Sequence, residues 1–358
     1  MRRIMDDDEP LGELRWWVLD GAESVAPFVA PDGRRGIYVL EFADGDRYVG
    51  QASDVVERFQ SHRHRSRHHA AWRDIIGFGF MQIPAGPMNA AERAMIHQQR
   101  TQGFRLRNRV WNLGHAEPSA LDGVVPLTMQ EHWATGGAKY ELGSFVRAAT
   151  RVPGAQPRLL SARAAQANLG NGRAIWEAVI DELAQLVALV LPSACELEKR
   201  FWTLSDCPRT AGGRFATLNV GPLELAYFPI RWGLSPEGSI CQGGTPMVSV
   251  NALPGTFLLA GELPHGLAEV GSDVCELIDG HPVIFGHHPR AYTIAPVDVI
   301  TMPLGVFGVQ RLSKEELTGV RALAIQIMRR PGGSLQARHH SDELTRLVYQ
   351  RIVERPWT

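Results

Sequence analysis

Six polar residues between positions 38 and 108 carry side chains that together can cut a phosphodiester: Tyr38, Tyr48, Arg58, His62, Glu92 and Asn108. Hydrolysis of that bond needs a base for the attacking water, positive charge against the phosphate oxygens, and help for the leaving oxygen. The two tyrosines belong to the tripeptides Gly36-Ile37-Tyr38 and Tyr48-Val49-Gly50, and stand ten residues apart. Arg58 follows after another ten, and His62 lies one helical turn beyond it, so both can point at a single phosphate. Taken singly, each has an ordinary explanation. Tyr38 and Tyr48 suit strand aromatics, Arg58 and His62 a solvated helix face, and Glu92 the partner of Asn89 in a helix cap. Their joint occurrence in this order argues for chemistry.

The elements that must hold them are legible in outline. The run RGIYVLEFADGDRYVG, Arg35 to Gly50, is β-branched and aromatic on both sides of Asp44-Gly45, which predicts a β-hairpin. Alternation puts Tyr38, Leu40 and Phe42 on one face and Ile37, Val39 and Glu41 on the other. A two-residue turn at Asp44-Gly45 would leave the two tyrosines on opposite faces. A shared site therefore demands a connection with an odd number of residues, or a bulge. Ser53 and Asp54 offer an N-cap and a first-turn acid for a helix over 54–64, with Val55, Val56 and Phe59 as its apolar stripe. A second helix is expected from near Asn89 to before Gly103, with Met95 and Ile96 facing inward and Glu92 in its first turn.

On these residues, the segment from about 33 to 115 resembles the GIY-YIG nuclease family. The resemblance implies an α+β domain, a small antiparallel sheet flanked by helices, followed here by an unrecognised mixed α+β region. It implies that Glu92 holds one Mg²⁺, or another hard divalent ion such as Mn²⁺, and that Tyr38 serves as general base or its relay. That role asks Arg58 and the metal to favour the phenolate, since a free tyrosine has a pKa of about 10. By the same resemblance Arg58 clamps the scissile phosphate, Tyr48 and His62 assist positioning and proton transfer, and Asn108 ties the end of the domain to the site. Asn112 is also available for that last role. Val49 replaces the isoleucine of the second family tripeptide, a volume-conserving change.

Charge agrees with a nucleic-acid substrate. Residues 33–115 hold 13 Arg and no Lys against 7 Asp and Glu, a balance of +6, whereas residues 1–32 hold 3 basic and 8 acidic side chains, a balance of −5. Basicity is concentrated in the suspected nuclease, although the whole chain is −1. Its densest part is HRHRSRHH at 62–69, where Arg63, Arg65 and Arg67 are expected to track phosphates. DNA is the expected partner, and RNA fits the same chemistry. The acidic stretch DDDEP at 6–10 reads as a disordered tail, with a cover over the basic face as the other option.

The 358 residues have room for two or three domains. The division expected is an acidic segment over 1–32, the nuclease-like domain over 33–115, a linker over 116–159, and a C-terminal α+β region over 160–358 that selects the target. Four widely spaced cysteines and the lack of an export signal or a long apolar run point to a reducing cytoplasm and no membrane span. The 34 arginines against three lysines suit a GC-rich genome. Within the last region, residues 160–205 read as helical, with Ile175, Val179, Leu183, Leu186 and Val190 among those giving a broad apolar face. The runs RFATLNV, LELAYFPI, TFLLAGEL and HPVIFG read as strands. Ser313 with Glu316 predicts a capping box, and Leu344, Leu347, Val348 and Ile352 line a closing helix. His287, His288 and Arg290, and Arg338, His339 and His340, could meet phosphate, though surface loops explain them equally. The functional expectation is a metal-dependent DNA endonuclease serving restriction, defence or a mobile element, with repair second. The competing expectation is a non-catalytic nucleic-acid-binding or regulatory protein on the same scaffold.

Overall fold

The computed structural model describes residues 13–64, 71–84, 88–108, 118–150, 155–209, 213–257, 272–291, 295–330 and 337–357. The chain divides into two units, 1–116 and 117–358, each mixed α+β with antiparallel sheets.

In the first unit the strands β1 (Arg15–Val18), β2 (Gly36–Phe42), β3 (Arg47–Ala52) and β4 (Ile75–Gln82) form one antiparallel sheet in the order β1-β4-β2-β3. Helix α1 (Val55–His64) lies on one side and α2 (Met88–Thr101) on the other. The two sheet faces divide as the alternation requires. Tyr38, Leu40 and Phe42 pack with Val55, Val56 and Phe59 of α1, while Ile37, Val39 and Val49 pack with Met88, Met95 and Ile96 of α2. Asp54 is the N-cap of α1, its Oδ1 accepting from Val56 N at 2.8 Å and Glu57 N at 3.2 Å.

Three of the sequence expectations need correction here. The segment 1–32 is not set apart from the nuclease-like domain, because Arg15–Val18 pairs with Gly77–Phe80 and supplies the sheet's first edge. Its acidic stretch at 6–10 lies outside the described residues. Helix α2 begins at Met88, so Asn89 is inside it, and Glu92 stands just past the first turn instead of closing a cap. The expected linker over 116–159 contains two helices, α3 (Leu127–Ala134) and α4 (Leu142–Ala149), and buries Leu121, Val125, Trp133 and Phe145. Apolar side chains of that size stay together only by packing into a core, and they open the second unit.

That unit is built on a seven-stranded antiparallel sheet. Its strands are β5 (Trp202–Asp206), β6 (Arg214–Val220), β7 (Leu223–Pro229), β10 (Met247–Ala252), β11 (Ser272–Ile278), β12 (His281–Ala291) and β13 (Ala295–Pro303). They lie in the order β11-β12-β13-β10-β7-β6-β5, and a small hairpin of β8 (Trp232–Leu234) and β9 (Ile240–Gln242) stands beside them. Helices α5 (Ile175–Val190), α6 (Lys314–Met328) and α7 (Asp342–Glu354) accompany the sheet, with α5 and α6 packed on β6 and α7 on β5. The predicted capping box is present: Ser313 Oγ accepts from Glu316 N at 3.2 Å, and Glu316 Oε2 from Ser313 N at 2.8 Å. The TFLLAGEL run falls mostly outside the described residues. Among the described residues no helix is long and apolar enough to cross a membrane.

Candidate active site

The hairpin decides whether the two tyrosines can meet. Phe42 N donates to Asp46 O and Gly45 N to Phe42 O, both at 2.9 Å, so the connection holds three residues, Ala43, Asp44 and Gly45. Gly45 takes the left-handed conformation that closes such a loop, at φ +82°. The odd count shifts the register so that Tyr38 faces Gly50 and Leu40 faces Tyr48. Both tyrosines therefore share the α1 face, with ring centroids 6.1 Å apart.

The glycines of the two tripeptides each make room for a neighbour. A Cβ on Gly50 would stand 2.8 Å from Tyr38 Cε1 and nearer still to its Cζ and hydroxyl. A Cβ on Gly36 would run into the carbonyl of Met81 on β4. The second tripeptide's glycine is thus the floor on which the Tyr38 phenol lies.

From α1, His62 completes the pair. Tyr38 Oη and His62 Nε2 are 2.7 Å apart, and both residues are only 1% exposed. Trp72, which the sequence reading passed over, stacks flat on His62 with centroids 4.7 Å apart and planes 5° apart. It also meets Tyr48 edge-on at 5.0 Å, and its backbone N–H donates to the His62 carbonyl at 2.8 Å. Trp72 lies in the aperiodic stretch AAWRD, which carries no helix or strand signal to place it.

Arg58 keeps much of its surface in water, yet its positive charge acts on both tyrosine hydroxyls. Burial alone would lower the guanidinium's pKa, but the two phenols outweigh it and hold the charge more firmly. For Tyr38 the balance runs the other way. Burial pushes the phenol well above its ordinary value of 10.0, Tyr48 and Glu92 add to the shift, and Arg58 opposes it without winning. Tyr48 is raised too, by burial first, with Glu92 adding to the shift against Arg58. Arg58 thus draws Tyr38 toward the phenolate, as expected of it, but does not by itself offset burial. The same influences place the half-exposed Glu92 carboxylate close enough to act on both phenols.

Asn108 touches the site through the backbone. Its amide pairs with Val49 as a strand would, Oδ1 accepting from Val49 N at 2.9 Å and Nδ2 donating to Val49 O at 2.6 Å. Arg47 N also donates to Arg105 O, and Arg107 N to Arg47 O. The chain over 105–108 therefore closes the outer edge of β3 and fixes the strand between Tyr48 and Gly50. Asn112 lies outside the described residues.

Of the expected phosphate-tracking arginines, Arg63 alone falls among the described residues. Arg63 donates to Arg73 O at 2.9 Å and pairs with Glu23 at 3.5 Å, with its side chain 13% exposed, so it braces the end of α1. Arg65 and Arg67 lie outside the described residues. In the second unit, His287 is bound to the buried Asp298 carboxylate at 2.8 Å, while Arg338 and His339 are exposed. Arg290's side chain is outside the described residues.

One further group of metal-ligand types occurs among the described residues, Glu198, His340 and Asp342, whose ligand atoms lie within 4.8 Å of one another. His340 Nδ1 accepts from Leu204 N at 3.2 Å, which assigns the ring proton to Nε2, facing Glu198 at 3.0 Å. Asp342 is occupied by Lys199 Nζ at 2.6 Å. This is an ion-paired brace at the start of α7. No family model, curated protein or solved structure matches the chain.

Proposed function

We propose that the first unit is a divalent-metal-dependent endonuclease of the GIY-YIG kind that hydrolyses DNA phosphodiesters, in restriction, defence or a mobile element, with target selection in the second unit. The observation that carries this reading is the convergence on one point of Tyr38, Tyr48, Arg58, His62 and the charge of Glu92, from two strands and two helices. Buried polar groups are costly without partners, and clusters with strongly shifted pKa values concentrate at functional sites.

The donor set fits a hard cation. Glu92 offers a half-exposed carboxylate, and Mg²⁺ or Mn²⁺ keeps several waters beside a single such ligand. Glu92 would hold the ion, and the bound ion would supply positive charge to the phosphate oxygens.

The chain's own residues do the rest. Arg58 offers forked donors to the scissile phosphate. A Tyr38 phenol pushed far above 10.0 is no preformed base, so it relays. Its oxygen takes a proton from the attacking water while its own proton passes to His62 Nε2, 2.7 Å away, and the buried oxygen stays neutral throughout. Trp72 fixes the imidazole plane, and Tyr48 orients Arg58. The same machinery would serve RNA, so both polymers belong in the test.

The test is cleavage of supercoiled plasmid and of matched RNA by the purified protein with Mg²⁺, with EDTA, and by Glu92→Gln. Metal-dependent nicking lost in the variant supports the reading. Binding without cleavage under every condition would favour a non-catalytic nucleic-acid-binding protein. Cleavage that survives both EDTA and Glu92→Gln would remove the metal and Glu92 from the mechanism.

A further inference from the structure

The large sheet of the second unit has one face that is chemically unlike a core. On β6, Ala216, Leu218 and Val220 point one way, and α5 and α6 pack on this strand. Thr217 and Asn219 point the other way. Cross-strand register extends the polar face. Ser205 of β5 is opposite Thr217, Thr217 opposite Tyr227 of β7, Tyr227 opposite Ser249 of β10, and Ser249 opposite Thr301 of β13. Ser249 and Thr301 satisfy each other at 2.8 Å. At the β5 end, the same face floors a cavity of about 730 Å³.

Most of the residues lining that cavity are polar or charged. Its floor is Ser205, Thr217 and Asn219, each under 5% exposed, and Glu224 lies beside them. Arg158, Arg209 and Arg338 stand about its walls, and Asp206 and Glu343 complete the charged lining. Asn219 Nδ2 donates to Ser205 Oγ at 3.2 Å. Thr217 Oγ1 has no hydrogen-bond partner, although it is buried at the cavity floor. A buried hydroxyl without a partner is unfavourable, and one that lines a cavity is a place where a ligand atom restores the missing bond.

The lining narrows the ligand. Hydroxyls and an amide on the floor do not suit an apolar molecule. A bare phosphate would suit the arginines, but it would leave the floor unmet and face three carboxylates. What fits both ends is a phosphate joined to a flat heterocycle whose edge alternates donors and acceptors. Asparagine and carboxylate side chains are the groups that read such edges. We propose that this cavity holds one nucleotide drawn out of the nucleic-acid strand, phosphate toward the arginines and base edge on Ser205, Thr217 and Asn219. Enzymes that inspect or act on a single base commonly take it out of the stack in this way. The inference rests on the proposed function only in taking the nucleotide from substrate DNA, and it gives the second unit its means of selection.

The test uses full-length protein carrying Glu92→Gln and a binding readout, so it stands or falls apart from cleavage. Calorimetric titration compares the four deoxynucleoside 5′-monophosphates and 5-methyl-dCMP with inorganic phosphate and deoxyribose 5-phosphate. At least one nucleotide should bind about tenfold or more tighter than either control, since several hydrogen bonds to the base edge are at stake. Thr217→Val should weaken that nucleotide by about five- to tenfold while leaving the thermal midpoint unchanged or raised, because it removes an unsatisfied buried hydroxyl. Arg209→Ala, at an exposed position that tolerates substitution, should weaken nucleotides and phosphate alike. In duplexes carrying 2-aminopurine at the selected position, fluorescence should rise on binding and stay low with Thr217→Val. Equal affinity for phosphate and nucleotides, absence of nucleotide binding, or full nucleotide affinity in Thr217→Val would each overturn the proposal.

Discussion

Gly50→Ala tests the geometry of the site with a single methyl group. Gly50 has no positive φ, so nothing in its backbone demands glycine, and a glycine-to-alanine change inside a strand ordinarily stabilises by about 0.5–1 kcal/mol. The structure predicts the opposite sign. The new Cβ would stand 2.8 Å from Tyr38 Cε1 and closer to Cζ and the hydroxyl, where ordinary carbon contacts are about 3.5–4.0 Å. The ring must therefore move by on the order of 1 Å at its hydroxyl end. It has little freedom, being 1% exposed and tied to His62 at 2.7 Å. Overpacking of this kind costs about 1–3 kcal/mol and the lost hydrogen bond about 1 kcal/mol more, so a net destabilisation of about 1–3 kcal/mol remains after the strand preference is credited. A misplacement of that size at a reacting centre also reduces rate by about 100-fold.

The assay is chemical denaturation of Gly50→Ala, Tyr38→Ala and the double variant, alongside plasmid nicking by Gly50→Ala. In the Tyr38→Ala background the clash is gone, so adding Gly50→Ala should be neutral or slightly stabilising, giving a coupling of about 1–4 kcal/mol. A Gly50→Ala protein as stable as the parent, or a change that is additive with Tyr38→Ala, would refute the claim that this glycine exists to seat the phenol.

Asn108→Ala removes both bonds to Val49 from a buried strand edge and should destabilise the first unit by about 2 kcal/mol, read as a lowered denaturation midpoint. Asn108→Asp should be worse, because a carboxylate cannot donate to Val49 O. Tyr38→Phe keeps the ring over Gly50 but breaks the relay to His62, so nicking should fall by about 100-fold or more while DNA affinity in a mobility-shift assay stays within about twofold. Arg63→Ala should leave the salt slope of DNA binding unchanged, because its guanidinium is engaged by Arg73 O and Glu23. In the second unit, burial pushes the Glu182 carboxyl from 4.5 up to about 8, so the folded chain keeps a proton that the unfolded chain releases. Stability of this unit should accordingly be fullest below pH 4.5 and decline by on the order of a few kcal/mol as pH rises to 8. Glu182→Gln, which still accepts from Val309 N, should flatten that decline in denaturation curves taken at pH 5.5 and 8.5.

What the sequence disclosed was local, and what it withheld depended on long-range pairing. The Ser313-Glu316 cap and the strands at RFATLNV and HPVIFG each follow from neighbours within a few residues, as does the start of α1, although its N-cap is Asp54 and not the expected Ser53. Register did not follow, because Asp44-Gly45 is compatible with loops of two or three residues. Only the longer loop brings Tyr48 to the side of Tyr38. Arg15–Val18 was masked by acidic neighbours, although strand identity at a sheet edge is decided by the partner, here β4. The helices within 116–159 were hidden by Pro and Gly at their margins, which mark turns but say nothing of the Trp133 and Phe145 between them.

Charge counting had a different weakness. Of the seven carboxylates over 33–115, Glu41, Asp44, Asp46, Asp54 and Asp74 all pair with arginines of the same stretch, so part of the basic character holds the unit together. Arg105 and Arg107, for example, both grip the hairpin loop through Asp44 and Asp46. Net charge counts such arginines in full, but a phosphate approaching them must compete with a carboxylate already in place. Arg58 differs because the partners that hold it are two phenols, both pushed toward the neutral form by burial. A phosphate docking there would displace no ion pair among the described residues. On the proposed reading, this is what would let Arg58 clamp the scissile phosphate while arginines such as Arg105 and Arg107 serve the fold.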